Sequence, residues 1–173
     1  MHLGAACVGG GDLVDGEEMT HADLVERSKR WLLKTIGCGF VLAELSTAAG
    51  ETPDAIGWKY GWSYLVECKA FRSDFLSDKR KMWRRCPEFG LGNSRYYMCE
   101  PGVITVADLP DNWGLLYAQK GRVRIVRKAV RNPDPQIAVN DRVMLCSALR
   151  RVHLRGDLEK IYGHSQNVQK YGE

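Results

Sequence analysis

The sequence predicts a single α/β domain in which a central mixed sheet is flanked by helices. The chain has 173 residues, about the size of one domain. Hydrophobic residues make up 45% of the chain and charged residues 27%, proportions typical of a globular protein with its own core. Apolar runs of strand length alternate with amphipathic segments, and no internal repeat or low-complexity linker interrupts them.

Two classes of protein are excluded by what the chain lacks. No apolar run reaches the length of about 18 residues that a membrane span needs, and no basic stretch at the start precedes an apolar one. We therefore expect a cytoplasmic protein without a membrane anchor. The six cysteines are scattered without a CxxC pair, so they are predicted to be free thiols rather than zinc ligands or disulfides.

The first predicted elements are a helix and a strand. Residues 1–19 are acidic and Gly-rich, which predicts a flexible tail. A capping-box spacing that begins at Thr20 predicts a helix over residues 21–36. The apolar run at residues 40–45 follows as a predicted buried strand.

A tight hairpin is predicted next. Residues 54–59 and 62–71 both have strand composition, and the two residues between them are Tyr60 and Gly61. Glycine supplies the positive φ that two-residue hairpin loops require. The two runs are therefore expected to pair as antiparallel neighbours.

This hairpin brings two carboxylates together. Positions equidistant from the loop pair with each other, so Asp54 is expected opposite Glu67, with Cβ atoms about 4.5–5.5 Å apart. Lys69 lies two residues beyond Glu67 and so projects from the same face. Two adjacent carboxylates repel unless a cation joins them, and Mg²⁺ bound by oxygen ligands would do so. The alternative is an acid pair on an exposed sheet face that Lys69 neutralises.

The second half of the chain is predicted to contain a basic helix, three strands and a final helix. The basic helix covers residues 71–85, with Phe71, Phe75 and Met82 on one side. The other predicted elements are strands at 94–100 and 113–119, their hairpin partner at 121–130, and a helix at 139–153. Residues 20–155 thus form the predicted domain, and residues 156–173 a polar C-terminal extension.

Positive charge is concentrated in residues 72–85. This segment has six basic and two acidic residues, so its net charge of +4 equals that of the whole chain. Clustered Lys and Arg are typical of a phosphate-binding surface, and the alternative is a solvated helix face. Ser73 is a further candidate for substrate contact, or else a helix cap. The basic candidates are Arg72, Lys79, Arg80, Lys81, Arg84 and Arg85.

The motifs Pro53-Asp54 and Glu67-Cys68-Lys69, on successive strands, resemble the signature of the PD-(D/E)XK nuclease superfamily. The preceding helix and strand and the following basic helix match the αβββαβ core of its restriction-endonuclease-like fold. The segment LVECKAFRSDFLSDKRK, followed by RYY, LPDNWGLL and GRVRIVRKA, is similar to the MmcB-like DNA-repair nucleases and to small phage proteins. The resemblance covers roughly residues 22–153.

The resemblance implies a metal-dependent DNA endonuclease that acts in repair, recombination or phage DNA processing. Asp54 and Glu67 match the metal-binding acids of the superfamily, and Lys69 matches its catalytic lysine. The main-chain carbonyl of Cys68 would be a further ligand, because only the backbone is required there. The implied cofactor is Mg²⁺ or Mn²⁺, and the implied partner is DNA. Relatives that cut both strands often pair, so the resemblance is compatible with a homodimer, but no interface can be read from the sequence.

Two further acids are candidates for the metal site, since many relatives add one from an earlier element. Glu26 lies in the predicted first helix, where its alternative is an ion pair with Arg30. Glu44 lies in the next strand, where its alternative is an exposed edge position. The four histidines are dispersed and indicate no metal site of their own.

A rival function comes from another class of protein. The same fold can serve as a catalytically silent module that binds DNA or protein, for example a phage factor acting on host defence. The paired acids argue against it, because a pure binding module has no reason to keep charges in an apolar strand.

Overall fold

A six-stranded mixed sheet runs through the centre of the protein, as the sequence predicts. The computed structural model describes residues 19–162. The strands are β1 (Phe40–Leu42), β2 (Ala55–Lys59), β3 (Trp62–Cys68), β4 (Ser94–Cys99), β5 (Gly114–Gln119) and β6 (Arg122–Arg127). They lie side by side in chain order, with β3, β4 and β5 parallel and the other neighbours antiparallel.

Helices cover both faces of this sheet. They are α1 (His21–Trp31), α2 (Arg72–Asp78), α3 (Met82–Arg85) and α4 (Pro135–Leu154). Three 3₁₀ turns connect the larger elements, at Pro87–Phe89, Val106–Asp108 and Leu158–Ile161. The predicted α/β class is thereby confirmed. No helix in residues 19–162 is both long and apolar enough to cross a membrane.

Alternate residues of the central strands build two separate apolar cores. On one face, Val66 of β3 belongs to the core that Leu24 and Trp31 of α1 complete. On the other face, Leu65 belongs to the core that includes Phe75 of α2 and Met144 of α4. This strict alternation follows from the two-residue period of a strand. The sheet therefore separates an α1 face from an α2–α4 face.

The first helix begins as the sequence predicts. The Thr20 hydroxyl accepts a hydrogen bond from the Asp23 main-chain N–H, and the Asp23 carboxylate accepts one from the Thr20 N–H. This reciprocal pair satisfies two main-chain donors that the helix itself leaves unpaired. After Trp31 the helix widens into a π-helical turn over Leu32–Ile36, which Gly37 ends with a φ of 79°.

The β2–β3 hairpin confirms the predicted pairing. Tyr60 and Gly61 form its loop, with φ values of 49° and 78°. Both values are positive, as a two-residue loop with the twist of the strands requires. Ala55 pairs with Val66, so the next position outward sets Asp54 opposite Glu67.

The predicted strand at 40–45 is shorter and less buried than expected. Only Phe40–Leu42 pair with β2, and the exposed fraction of Phe40 is 45%. β1 is the edge of the sheet, so its outer side has no neighbouring strand. Glu44 lies beyond the strand with a φ of 51°, a left-handed conformation that ends regular pairing.

The prediction of a single basic helix at 71–85 is wrong. The segment is divided into α2 and α3 by a turn at residues 79–81. Of the three apolar residues expected on one side, Phe75 is buried, whereas Phe71 and Met82 are more than half exposed. The reason is Asp78, which is buried and attracts three cations to this turn. Local periodicity cannot report such a tertiary interaction.

The final helix begins earlier than predicted. α4 starts at Pro135, where proline fits the first helical position because it has no N–H to satisfy. The Asp134 side chain caps it by accepting from the Gln136 N–H. Of the predicted tail, residues 1–18 lie outside the described part of the chain. Of the predicted C-terminal extension, residues 163–173 do so as well.

Candidate active site at the open end of the hairpin

Asp54 lies just before β2 and is fixed by the neighbouring strand. The Cys68 main-chain N–H donates a hydrogen bond of 2.6 Å to Asp54 Oδ2. His21 Nε2 lies 3.5 Å from Asp54 Oδ1. Burial and then the charge of Glu67 raise the pKa of Asp54 to about 6, against the opposing effects of the Cys68 N–H and His21. The Asp54 carboxylate is thus held in an environment that disfavours its charge.

Glu67 is buried, and its two carboxylate oxygens differ sharply. Oε2 lies 3.3 Å from Lys69 Nζ and 3.2 Å from Arg84 Nη2. Oε1 is buried without a hydrogen-bond partner among the described residues. A buried carboxylate oxygen without a partner carries a desolvation cost. Glu67 lies opposite Asp54 in the hairpin, so the oxygen without a partner belongs to one of these two opposed acids.

Lys69 bridges two buried acids. Its Nζ lies 3.3 Å from Glu67 Oε2 and 3.3 Å from Asp78 Oδ1. Burial lowers the pKa of Lys69, but the charges of Glu67, Asp78 and Asp54 outweigh it and raise the pKa above its ordinary value. The side chain is therefore an ammonium at neutral pH, which donates hydrogen bonds and cannot act as a base.

A buried network of ion pairs supports this site on the α2–α4 face. Arg84 Nη1 donates to Glu51 Oε1 at 2.5 Å, and Arg84 Nε donates to Asp78 Oδ2 at 2.6 Å. Arg95 Nη2 donates to Glu51 Oε2 at 2.5 Å. The Tyr97 hydroxyl donates to Asp78 Oδ2 at 2.7 Å. The network therefore fixes Asp78, and through Asp78 it fixes the ammonium group of Lys69.

Arg84 corrects one prediction. Its side chain is only 2% exposed, and its guanidinium lies 4.6 Å from the centre of the Trp113 ring. The charges of Glu67, Glu51 and Asp78 raise its pKa despite burial, which acts in the opposite direction. The expectation that Arg84 contacts phosphates is wrong, because the guanidinium is enclosed by carboxylates and an aromatic ring.

The other basic candidates of residues 72–85 lie at the surface. The Arg72 guanidinium forms two hydrogen bonds with the Asp108 carboxylate, at 2.7 and 3.0 Å. Lys81 Nζ lies 2.8 Å from Asp78 Oδ1. The remaining exposed candidates are Ser73, Lys79, Arg80 and Arg85. Ser73 does not cap α2, whose N-cap is Phe71 without a side-chain hydrogen bond.

The two extra acids have different positions. Glu26 Oε1 lies 2.6 Å from Lys29 Nζ, so Glu26 forms an ion pair along α1, though with Lys29 rather than Arg30. Glu44 Oε1 lies 3.8 Å from His21 Nε2, the same nitrogen that approaches Asp54. Of the two acids, the structure brings only Glu44 to the rim of the Asp54 site.

Five members of this site and its supporting network were not predicted from the sequence: His21, Glu51, Asp78, Arg95 and Tyr97. The signal for His21 was its place as the first residue of α1, directly after the capping box. Glu51 and Arg95 are nearly or fully buried charges from a turn-rich stretch and a strand. Such charges need partners, but the sequence does not say which ones.

The site offers few side-chain ligands to a hard divalent cation. Within residues 19–162, no three side chains of His, Cys, Asp or Glu converge as they stand to hold a metal ion. The candidate set contains two carboxylates, Asp54 and Glu67, and the main-chain carbonyl of Cys68, so only two of its ligands are side chains. The unpartnered Glu67 Oε1 fits such an ion, since oxygen donors are what Mg²⁺ prefers.

The fold of this chain is similar to that of a solved structure. No model of a known protein family matches the chain, and no curated protein matches it. One solved structure does, a protein of unknown function from Silicibacter pomeroyi. The two share a fold. Their structures superpose with a TM-score of 0.59 at 24% identity, over 87% of this chain and 98% of the other.

Proposed function

We propose that the protein is a metal-dependent nuclease that hydrolyses phosphodiester bonds in DNA. The observation that carries the proposal is the pair Asp54 and Glu67. The hairpin register sets these two acids opposite each other, and one buried oxygen of Glu67 has no partner among the described residues. A divalent cation between them would relieve both the repulsion and the unsatisfied oxygen. The order α1-β1-β2-β3, followed by the helices α2 and α3 and then by β4, is consistent with the αβββαβ core of the superfamily.

Each residue of the site would have its own role in phosphodiester hydrolysis. Asp54, Glu67 and the Cys68 carbonyl would hold Mg²⁺ or Mn²⁺, and the bound ion would polarise a phosphate oxygen and acidify a water molecule. The Cys68 N–H fixes the orientation of Asp54. The Lys69 ammonium would donate a hydrogen bond to the attacking water or to a phosphate oxygen on which negative charge develops. Asp78 holds that ammonium in place.

The exposed cations that follow Lys69 would bind the DNA backbone near the cut. Residues 72–85 begin three positions after Lys69, so the first of their surface side chains would lie near the site. Arg72 is already paired with Asp108, and Lys81 with Asp78, whereas Lys79 and Arg80 are exposed. We therefore assign the phosphate contacts of this segment chiefly to Lys79, Arg80 and Arg85, with Ser73 beside them.

A second candidate is a catalytically silent module that binds DNA or protein. One observation favours it: Lys69 and Arg84 both contact Glu67 Oε2 and so already compensate its charge. In that case Glu67 would serve as part of a structural ion-pair network. The two candidates differ in their response to divalent metal.

Cleavage of a panel of DNA substrates tests the nuclease proposal. Duplex, nicked, branched and single-stranded DNA would be incubated with the full-length protein in Mg²⁺, in Mn²⁺ and in chelator. We expect cleavage with metal only, and its loss in Glu67→Gln and in Lys69→Met. The matched control is Glu159→Gln, because Glu159 is an exposed glutamate of the last 3₁₀ turn and is not a candidate metal ligand. Equal rates in parent, Glu67→Gln and Lys69→Met would overturn the assignment.

Calorimetric titration with Mn²⁺ separates the two candidates independently of substrate choice. The nuclease proposal expects binding by the parent and its loss in Asp54→Asn, which keeps the shape of the side chain and removes the charge. The silent module expects no difference between the two proteins. A parent that binds no Mn²⁺ would count against the nuclease.

A further inference from the structure

A groove lined by cations lies between α1 and β6, on the α1 face of the sheet. Arg27 and Arg30 of α1, Lys34 of the π-helical turn and Arg122 of β6 line it, and its volume is about 350 Å³. Trp31 lines the same space. We call this feature the α1–β6 groove. None of its four cations belongs to residues 72–85, where the sequence places the greatest charge.

Few acids balance the positive charge of the groove. No Asp or Glu lines it. Within residues 19–162, none of Arg27, Arg30, Lys34 and Arg122 forms an ion pair with a carboxylate. The acid one turn before Arg27 is Asp23, and its carboxylate accepts hydrogen bonds from Thr20 in the capping box. The pKa of Asp23 is lowered chiefly by these hydrogen bonds and to a smaller extent by the charge of Arg27. Four cations with this one nearby carboxylate form a surface that attracts an anion.

Two of these cations are already held in position. Arg27 Nη1 donates to the Gln119 carbonyl oxygen at 2.8 Å, and Arg122 Nε donates to the Gln119 side-chain oxygen at 3.3 Å. Both guanidinium groups are thereby anchored at the end of β5. Part of the entropy cost of fixing them around a ligand is therefore met before the ligand binds.

The basic surface continues beyond the groove along the edge of the sheet. Residues 120–131, which contain β6, have six Lys and Arg residues and no Asp or Glu. β6 is an edge strand, so one of its sides is not covered by another strand. Within this basic segment, the Arg124 guanidinium lies over the Tyr117 ring, 5.5 Å from the ring centre. An extended band of this kind suits a chain of regularly spaced negative charges better than a single small anion.

We infer that the α1–β6 groove binds the phosphate backbone of duplex DNA at a distance from the cleaved bond. This inference rests on the proposed nuclease function, because α1 links the groove to the site. His21, at the start of α1, contacts Asp54, and Arg30 follows nine residues later. At 1.5 Å per residue, this separation is about 13 Å along the helix axis. A DNA strand advances about 3.4 Å per phosphate, so the groove would contact phosphates roughly four nucleotides from Asp54.

Binding over a salt series tests this inference on the full-length protein in chelator, where no cleavage occurs. The groove variant is Arg30→Gln, Lys34→Gln and Arg122→Gln together, which leaves the Gln119-bound Arg27 in place. The matched control is Arg142→Gln, Arg150→Gln and Arg155→Gln, which removes three charges from the exposed surface of α4 and the residue after it. Fluorescence anisotropy with a labelled 20-base-pair duplex would give the slope of log affinity against log salt.

We expect the groove variant to have a slope shallower by about 2 to 3, at roughly 0.9 per lost phosphate contact, and the control to match the parent. Thermal unfolding of both variants checks that they remain folded. An unchanged slope, or an equal change in both variants, overturns the inference. The inference is also overturned if the groove variant loses binding to poly-glutamate but keeps its affinity for DNA, because the partner is then an acidic protein. If the slope changes only in the groove variant but the parent never cleaves DNA, the groove remains a DNA-binding site and the nuclease proposal is rejected.

Discussion

The main-chain N–H of Cys68 donates a hydrogen bond of 2.6 Å to the carboxylate of Asp54. This bond joins the end of β3 to the residue that precedes β2, where the ladder between the two strands has ended. It fixes one Asp54 oxygen, Oδ2, and leaves Oδ1 facing His21. The hairpin thus holds Asp54 in a defined orientation, and burial makes its carboxyl group difficult to ionise.

Asp54→Asn is expected to stabilise the metal-free protein at neutral pH. Burial and Glu67 raise the pKa of Asp54 to about 6. The native state therefore binds more protons than the unfolded state between pH 3.8 and about 6, and the free energy of unfolding falls as pH rises through that window. Asparagine still accepts from Cys68 and carries no charge. We expect a gain of roughly 1–2 kcal/mol at pH 7 and none near pH 4.

Urea unfolding of parent and Asp54→Asn across pH 4–7 in chelator measures this gain. Millimolar Mg²⁺ should reverse the order at pH 7, since an ion that binds only the native parent stabilises it by mass action. Parallel stability curves for the two proteins would contradict the argument.

Arg84→Ala is expected to be strongly destabilising, in contrast to Arg85→Ala. The Arg84 guanidinium contacts Glu51, Glu67 and Asp78, and its removal leaves three buried carboxylates with one cation fewer. Breaking such a buried network typically costs about 3–5 kcal/mol. Arg85 is exposed, so its loss should change stability by less than about 0.5 kcal/mol. Similar unfolding free energies for the two variants would show that the network contributes little.

Asp78→Asn is expected to change the acid limb of the stability curve. Burial alone would raise the pKa of Asp78, but Arg84, Lys81 and Lys69 outweigh it and hold the pKa well below its usual range. The stabilisation from this carboxylate is present above about pH 4 and is lost as pH falls further, because the unfolded state takes up the proton first. The variant should be less stable at pH 7 and lose less stability between pH 5 and 3. A parent-like slope in denaturant experiments over that range would refute this.

Gly92→Ala is expected to be more damaging than Gly102→Ala. Both glycines have a positive φ, 82° and 96°, which costs another residue about 1–2 kcal/mol. A Cβ on Gly92 would also lie 2.5 Å from the Cβ of Leu65, whereas one on Gly102 would meet nothing within 4 Å. We expect losses of about 3–4 and about 1–2 kcal/mol, respectively, in chemical unfolding. Equal losses would mean that Leu65 of β3 shifts to accommodate the added Cβ without a loss of stability.

The features that the sequence predicted well are those set by local chemistry. The Thr20 capping box, the Tyr60-Gly61 loop and the alternation of β3 each depend on residues close together in the chain. These features were enough to predict the hairpin pairing of Asp54 with Glu67 and the position of Lys69 beside it.

The features that the sequence could not predict depend on contacts between distant residues. Arg84 and Arg85 are adjacent in sequence, yet only the Arg84 side chain is buried, because Glu51 and Asp78 contact it in the folded chain. Charge counting assigned both residues to the surface. The α1–β6 groove was missed for the same reason, since its cations come from two segments more than 80 residues apart.

The two edges of the sheet also determine how the protein behaves at high concentration. An open strand edge is a template for pairing with another chain. Here β1 has only three residues, and β6 carries arginine at Arg122, Arg124 and Arg127. Mutual repulsion between two such β6 edges would oppose their pairing. Arg122, which we assign to the DNA-binding groove, would therefore also help Arg124 and Arg127 to protect the fold from aggregation, so replacing it with an apolar residue would lower solubility together with affinity.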